Sequence, residues 1–564
     1  MIYLIVAFLT FLITIIVTPY FINYLIRKDI LDSPNGEERH LHLEPVPRLG
    51  GIIIFSVIFI ITFAFYQDVS SKIYFIAGAL IILGLGIIDD LKGVKWHIKF
   101  FVQSIAAVLL ILSFNINNYS SINFAVYRIP FVLDYIILFV LILGILNSFN
   151  LMDGLDGLVA GFSLIILSAI FLLSIGRNFP FIPYLSAATI GTVLGFLKFN
   201  GNPARIFLGD SGSLTLGYIA AFTVIGISGE VTNDAVNKIQ DVIRTIDVAF
   251  VIIILAVPLA DTLRVMFIRL RSNKHPFLAD SSHLHHLLYS KKIRHKTVVM
   301  LIHLISICFV LLSMYYARFD KVTGLIIYFI FLAVFFSIHP IIEFIIRKEH
   351  LLAYGRMLKR IPDLLPRIYK KFLLPFISFC LGVLIILLIY KEITIPRKIY
   401  SYFLLFLLPS LLYSGIELRK KNYYAELLVL VNLLLFFIIT GLNGFFYKLY
   451  PVPLITQINL NQILVITLSG MVMFFVLFKE RIINLRQQFL TGTDLTLAVL
   501  NTFIFIAVQF LDLPDAYKIS DTILRSFLVF LFYKIMITVF PKTHFTLYYI
   551  SFLIAVIAVL KSVF

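Results

Sequence analysis

Apolar residues run along this chain in long blocks broken by short polar stretches, and the blocks set the fold class. Residues 2–26, 248–268 and 325–346 each approach the roughly 20 residues that an α-helix needs to cross a bilayer. In lipid the backbone has to satisfy its own hydrogen bonds, so blocks of this length read as helices. The pattern predicts an all-α fold, a polytopic membrane helical bundle. Spans fall near residues 2–26, 51–66, 73–88, 98–114, 131–147, 158–175, 183–199, 213–228, 248–268, 298–316 and 325–346, about eleven in all. About seven more follow, near 372–390, 399–415, 424–441, 462–479, 491–511, 522–540 and 545–563. Three regions are expected: a membrane domain over 1–346, a basic cytoplasmic linker over 347–371, and an additional membrane domain over 372–564. No motif in the last region suggests a task, and Asp494, Asp512, Asp515 and Asp521 there read as boundary residues.

Composition supports the membrane reading. Of 564 residues 60% are hydrophobic and 14% charged, more apolar surface than a soluble chain of this length could hide. The net charge of +17 would suggest nucleic acid in a soluble protein. Here the basic residues are interleaved with spans, so they are topology signals and contacts to anionic lipid or phosphate, and no nucleic-acid partner is expected. Cys308 and Cys380 both lie in apolar runs and read as packing residues rather than a disulfide framework or metal cluster. Residues 2–26 lack a basic segment ahead of the apolar run and are followed by Arg27 and Lys28. They read as a retained first span with its N-terminus outside, not a signal peptide.

The loops alternate in charge. One set holds Arg27, Lys28, Arg39, Arg48, Lys92, Lys95, Lys99, Lys198, Arg205, the basic residues of 269–296, and those of 347–371. The other, at 67–72, 115–130, 176–182, 229–247 and 317–324, is poorer in Lys and Arg. The basic set marks the cytoplasmic side, and every polar cluster of the first 290 residues falls on that side.

Five such clusters stand out. The first, residues 39–51, joins Arg39, His40, His42 and Arg48 to stiffening prolines and to Gly50-Gly51, which permit close backbone approach. The second is Asp89-Asp90, adjacent carboxylates at a membrane boundary that repel each other unless a cation or proton chemistry uses them. The third, residues 147–157, repeats oxygen-bearing side chains at Asn150, Asp153 and Asp156. On a continuing helical turn these share one face, a set suited to Mg²⁺ or a polar substrate. The fourth, residues 200–213, contains Asn200, Arg205 and Asp210, with small residues whose backbone N–H groups could cradle phosphate at the start of the next helix. The fifth holds His275, Pro276, Phe277, Asp280, His283, His285 and His286. With no cysteine near it, substrate binding outweighs zinc. Asp261 reads either as a further carboxylate or as a partner for Arg264. A set rich in carboxylates, amides and cations, with no activated Ser or Cys, fits phosphoryl transfer between two phosphate-bearing reactants. A secondary transporter is the rival of another class, but motif charges at one face and the lack of an inverted repeat count against it.

In order and spacing, Asp32–Asn35 with Pro45-Val46-Pro47 and Gly50-Gly51, Asp89-Asp90, 147–157, 203–213 and Pro276-Phe277 with His283–His286 resemble the polyprenyl-phosphate N-acetylhexosamine-1-phosphate transferases. The resemblance implies a Mg²⁺-dependent bacterial plasma-membrane enzyme, multi-pass with a cytoplasmic site, with Mn²⁺ as an alternative ion. It joins a UDP-N-acetylhexosamine to undecaprenyl phosphate and releases UMP. It implies metal binding at Asp210 and Asn150, catalysis at Asp89 and Asp90, and substrate contacts from Asp153, Asp156, Asn200, Arg205, His42, His283, His285 and His286. The form of the last motif favours simple N-acetylhexosamines, GlcNAc first, over the related phospho-MurNAc-pentapeptide transferases; oligomerisation is left open. The chain departs from the family at Arg39-His40, where a basic pair is usual. A histidine holds no fixed charge at pH 7.

Overall fold

A computed structural model describes residues 2–32, 45–116, 119–177, 179–232, 244–272, 283–290 and 293–347, then 492–511, 516–539 and a few isolated positions between 370 and 475. Chain contacts divide it into two compact units. The first comprises Met1–Arg347 with Gly492–Phe503, and the second comprises Lys348–Thr491 with Ile504–Phe564.

The first unit is helical. Its helices are α1 (Ile2–Arg27), α2 (Gly50–Phe65), α3 (Ile73–Lys92), α4 (Trp96–Ile116), α5 (Phe131–Met152), α6 (Leu158–Ser174), α7 (Phe181–Asn200), α8 (Gly209–Thr232), α9 (Val248–Ile254), α10 (Ala256–Arg271), α11 (Leu284–Ser290), α12 (His295–Arg318) and α13 (Lys321–Arg347). Helix α14 (Gly492–Leu511) begins in this unit. Among the described residues seven helices are long and apolar enough to cross a bilayer, or eight if α9 and α10 count as one bent span. Helices α2 and α6 are shorter apolar helices. The chain is a multi-pass membrane protein.

Helix α8 is the axis of this unit. Its whole apolar window is buried, and α2, α3, α5, α6 and α9 pack around it. Without a hydrophobic drive between helices in lipid, close backbone approach through small residues does the packing. Gly51 and Gly86 lie directly on the backbone of Ser211 and Gly212 at the start of α8, where an added methyl group would collide.

The expected straight span over 248–268 is instead two helices bent by 86°. Pro258 explains the break. A proline ring clashes with the carbonyl four residues before it, which is Ile254, the last residue of α9. In the first turn of α10 its missing N–H has no helical acceptor to lose.

At the end of the bundle opposite the polar clusters, β3 (Tyr119–Phe124) pairs antiparallel with β4 (Tyr127–Arg128) and parallel with β5 (Arg244–Asp247). Asp247, 1% exposed, ties this end together. Its Oδ1 accepts from the N–H groups of Ala249 and Phe250, capping α9. Tyr316 donates to both its oxygens and Lys321 lies 3.1 Å away. Two short strands, β1 (Leu31–Asp32) and β2 (Val46–Pro47), flank the first loop. In the second unit the described residues include α15 (Ala516–Val539), which buries Arg525 and Lys534, the latter with Nζ 5.8 Å from the Phe530 ring centre.

Candidate active site

Four helix ends meet at one end of the bundle. Helix α3 carries Asp89 and Asp90 in its last turn, α4 begins with Lys99 in its first turn, α5 ends just after Asn150, and α8 begins at Gly209-Asp210. The Lys99 ammonium sits at the focus. It is 2.7 Å from Asp89 Oδ2, 3.4 Å from Asn150 Oδ1 and in direct contact with Asp210 Oδ2. Asn150 is oriented by its own Nδ2, which donates to Ser213 Oγ at 3.2 Å and turns the amide oxygen toward the lysine. Lys99 counted in the sequence only as a topology charge. Its place inside the apolar block 98–114, rather than in the loop ahead of it, is the signal that singles it out, since a charge within a span has to find partners.

The two adjacent aspartates do different things. Asp90 Oδ1 accepts the N–H of Asp210 at 2.8 Å and Oδ2 that of Ser211 at 3.1 Å. It therefore occupies two of the free N–H groups in the first turn of α8, where a negative charge also suits the helix dipole. Two N–H groups of the stretch 209–213 expected to cradle phosphate, those of Asp210 and Ser211, are thus taken by a side chain of the protein itself. Gly209, at φ +70°, makes the turn that lets Asp90 in. Asp89 instead accepts Val94 N–H through Oδ1 at 2.6 Å and turns Oδ2 to Lys99.

The acidic loop after α5 departs from the helical reading. The helix stops at Met152 and the chain turns through two glycines, Gly157 at φ +75°. Asn150, Asp153 and Asp156 therefore do not share a helical face. Asp156 turns away and accepts from Asn202 Nδ2 at 3.0 Å and Ala204 N at 3.1 Å, while its own N–H meets His295 Nε2 at 3.1 Å. Asn200 works in the same seam: Oδ1 accepts from Gly157 N and Nδ2 donates to the Ile206 carbonyl. Both fasten the third cluster to the fourth. Asp153 is half-buried, and burial together with Asp210, Asp90 and Asp156 holds its carboxyl well above the usual range. The Arg205 side chain is exposed.

The described part of the first loop docks on the fourth cluster through backbone. Gly50 and Gly51 donate to the carbonyls of Phe207 and Leu208, and Phe207 donates to that of Pro47, at 2.8–3.1 Å. Arg48 pairs with Asp32 at 2.5 Å. Arg39, His40 and His42, and likewise His275–Asp280, lie outside the described residues.

The remaining histidines stand beside the acidic loop. His285 and His286 lie against Gly154, so that a methyl group there would overlap the His285 ring. Burial, and His286 next to it, push the His285 imidazole down to about 3. Asp261 of α10 serves both readings left open for it, meeting Arg264 at 2.8 Å and His283 Nδ1 at 2.9 Å.

Among the described residues no group of three or more His, Cys, Asp or Glu has a metal-binding arrangement. A structural zinc centre would need such a group, but Mg²⁺ is commonly held by one or two carboxylates plus substrate phosphates. The Asp89, Asp210 and Asn150 oxygens already converge on the cationic nitrogen of Lys99, and this donor set fits a magnesium ion.

A bundle with its acidic, amide and cationic groups gathered at the ends of four helices defines a polytopic membrane enzyme rather than a soluble transferase. Residues 72–228 match the profile of glycosyl transferase family 4. The chain is 35% identical over 315 residues to a probable undecaprenyl-phosphate N-acetylglucosaminyl 1-phosphate transferase of Bacillus subtilis, covering 55% of this chain and 84% of that protein. It is 32% identical over 296 residues to a decaprenyl-phosphate N-acetylglucosaminephosphotransferase of Mycobacterium leprae, covering 47% and 72%. A phospho-N-acetylmuramoyl-pentapeptide-transferase of Halalkalibacterium halodurans is 34% identical over 242 residues, covering 38% and 73%. The chain belongs to glycosyl transferase family 4, among the polyprenyl-phosphate N-acetylhexosamine-1-phosphate transferases.

Proposed function

We propose that this protein transfers N-acetylglucosamine-1-phosphate from UDP-N-acetylglucosamine to undecaprenyl phosphate, releasing UMP and starting a cell-envelope glycan. The site lies on the cytoplasmic face of a bacterial plasma membrane, the side on which the Lys- and Arg-rich loops fall. The observation that carries this reading is the meeting of Asp89, Lys99, Asn150 and Asp210 at one point, in a chain that shares its family with the Bacillus subtilis protein.

The chemistry is a direct displacement. An oxygen of the lipid phosphate forms a bond to the β-phosphorus of the UDP-sugar, and the bond from that phosphorus to the bridging oxygen breaks, with UMP leaving. Asp89, the member of the pair that faces the lysine, orients the attacking phosphate or takes its proton. Lys99 supplies positive charge against the phosphates, and Asp90 keeps the start of α8, and so Asp210, in place. Mg²⁺, or Mn²⁺ in its stead, held by Asp210 and Asn150 would neutralise charge developing on the UMP leaving group.

The test is UMP release by the purified chain from UDP-GlcNAc and undecaprenyl phosphate, with and without Mg²⁺, and the mass of the lipid product across a panel of UDP-sugars. GlcNAc-1-phosphate on the lipid is expected. Turnover of UDP-MurNAc-pentapeptide alone would move the protein to the sister branch. UMP release without lipid acceptor would replace direct displacement by a covalent aspartyl-phosphate route.

A further inference from the structure

We infer that Asp261 is a positioning residue for the nucleotide-sugar side of this site: it holds His283 by Nδ1 and anchors the helix that sets His285 and His286 against Gly154. The inference rests on the transferase reading above and assigns a role to a residue outside the acidic clusters.

Asp261 sits in α10, just beyond the 86° bend that ends α9. Without that bend the residue would continue along a membrane span. With it, the carboxylate faces the start of α11 and is 9% exposed. Four N–H donors converge on it. Arg264 donates through Nε at 3.2 Å and through a terminal nitrogen at 2.8 Å. His283 Nδ1 lies at 2.9 Å, and the Leu284 N–H, at 3.1 and 3.2 Å, is the first of α11. A carboxylate so surrounded is an anchor, since all its contacts lock its own position and that of the segment above it.

The bond to Nδ1 decides which face of His283 is available. An imidazole that donates Nδ1–H to a carboxylate leaves Nε2 as its outward position, with the ring orientation fixed. His283 is 3% and His285 1% exposed. Their rings stack at 5.8 Å and 15°, and both residues line a small cavity with Ser148, Met152 and Asp261. The Nε2 atoms of both lack a hydrogen-bond partner among the described residues. Buried polar atoms left this way are rare and ask for a ligand or water. Through this Nε2 edge His285 presses on Gly154, as does His286, between Asp153 and Asp156. Asp261 thus sets the histidines relative to the acidic loop although its own contacts are to Arg264, His283 and Leu284.

The experiment is a double-mutant cycle on the full-length enzyme with Asp261→Asn, His283→Gln and both together, reading kcat and the KM of each substrate. Asparagine keeps a cap for the Leu284 N–H, so the variant should fold even if Asp261→Ala does not. Losing the charge-assisted bond should raise the KM for UDP-GlcNAc by roughly tenfold, leave that for undecaprenyl phosphate within about twofold, and add nothing in the His283→Gln background. Additive effects, equal rises in both KM values, or a wild-type KM for UDP-GlcNAc in Asp261→Asn would each overturn the inference. A wild-type enzyme that releases no UMP would instead bring down the transferase reading, and this role with it.

Discussion

Replacing Asp90 tests the division of labour between the adjacent aspartates. In Asp90→Ala the N–H groups of Asp210 and Ser211 lose acceptors at 2.8 and 3.1 Å. A hydrogen bond to a charged group contributes about 1.5–3 kcal/mol. Two would come to about 3–6 kcal/mol, but Asp90 is only half-buried, so water recovers part and about 2–4 kcal/mol is the net expectation. That loss falls on the first turn of α8, and Asp210 moves with it. At about 1.4 kcal/mol per factor of ten, UMP release should drop about 30- to 1,000-fold. Asp90→Asn keeps one carbonyl acceptor and should lose about half of that free energy, a drop of roughly 5- to 30-fold. Asp89→Asn leaves the helix start intact but removes the carboxylate facing Lys99, so its loss belongs to the chemical step and should come with an unchanged melting temperature. Saturating both substrates while following UMP release, with thermal unfolding measured in parallel, separates the two. If Asp90→Ala keeps wild-type stability and rate, or if Asp90→Asn is as inactive as Asp89→Asn with no loss of stability, the capping argument is wrong.

Lys99→Gln leaves Asp89 and Asp210 without their shared cation and should lower kcat about 100-fold; Lys99→Arg should not restore it, because a planar guanidinium does not fill the place of a compact ammonium. Gly86→Ala would put a methyl group 2.5 Å from Ser211 N. It should destabilise the fold by about 1–3 kcal/mol, read as a lower melting temperature. Asp247→Asn weakens the buried bond to Lys321 at the other end of the bundle. It should cost about 2–4 kcal/mol of stability with kcat unaffected in the folded fraction. His285 titrates at about 3 when folded, below its unfolded value of about 6.5. Unfolding then takes up a proton, so its contribution is complete above pH 6.5 and shrinks by about 1.4 kcal/mol for each unit below it. Asp153, displaced upward, works in the opposite sense. The wild type should therefore lose roughly 2 kcal/mol between pH 6.5 and 5 relative to His285→Asn. Parallel pH profiles of the melting temperature would refute the assignment.

Much of this was legible in the sequence, and for a physical reason. Membrane helices announce themselves by length and hydropathy, and ten of the eleven blocks in residues 1–346 each fall on one helix, while the eleventh, 248–268, falls on two. Whatever depends on where a helix stops was harder to read. The period of three in Asn150, Asp153 and Asp156 suggested one face, but glycines at 154 and 157 end the helix first, and Asp156 goes to Asn202 instead. The block 248–268 looked continuous because a proline in the first turn of a helix leaves hydropathy unchanged while it breaks the backbone behind it.

The same logic explains why the residues of the site are scattered in sequence yet adjacent in space. Antiparallel helices alternate their ends, so the close of α3, the opening of α4, the close of α5 and the opening of α8 all come to one end of the bundle. Two carboxyl-terminal helix ends carry Asp89 and Asn150, and two amino-terminal ends carry Lys99 and Asp210. The dipole of α8 favours negative charge at its start, and Asp90 takes that place. Asp210 is thereby left one residue into the helix with a side chain free to face Lys99. The adjacent aspartates thus reach one point by different routes, Asp89 through its contact with Lys99 and Asp90 through the backbone that presents Asp210 to the same lysine. The resemblance to the family assigns both to catalysis, and the direction of the carboxylates turns Asp89 to Lys99 and Asp90 to the start of α8.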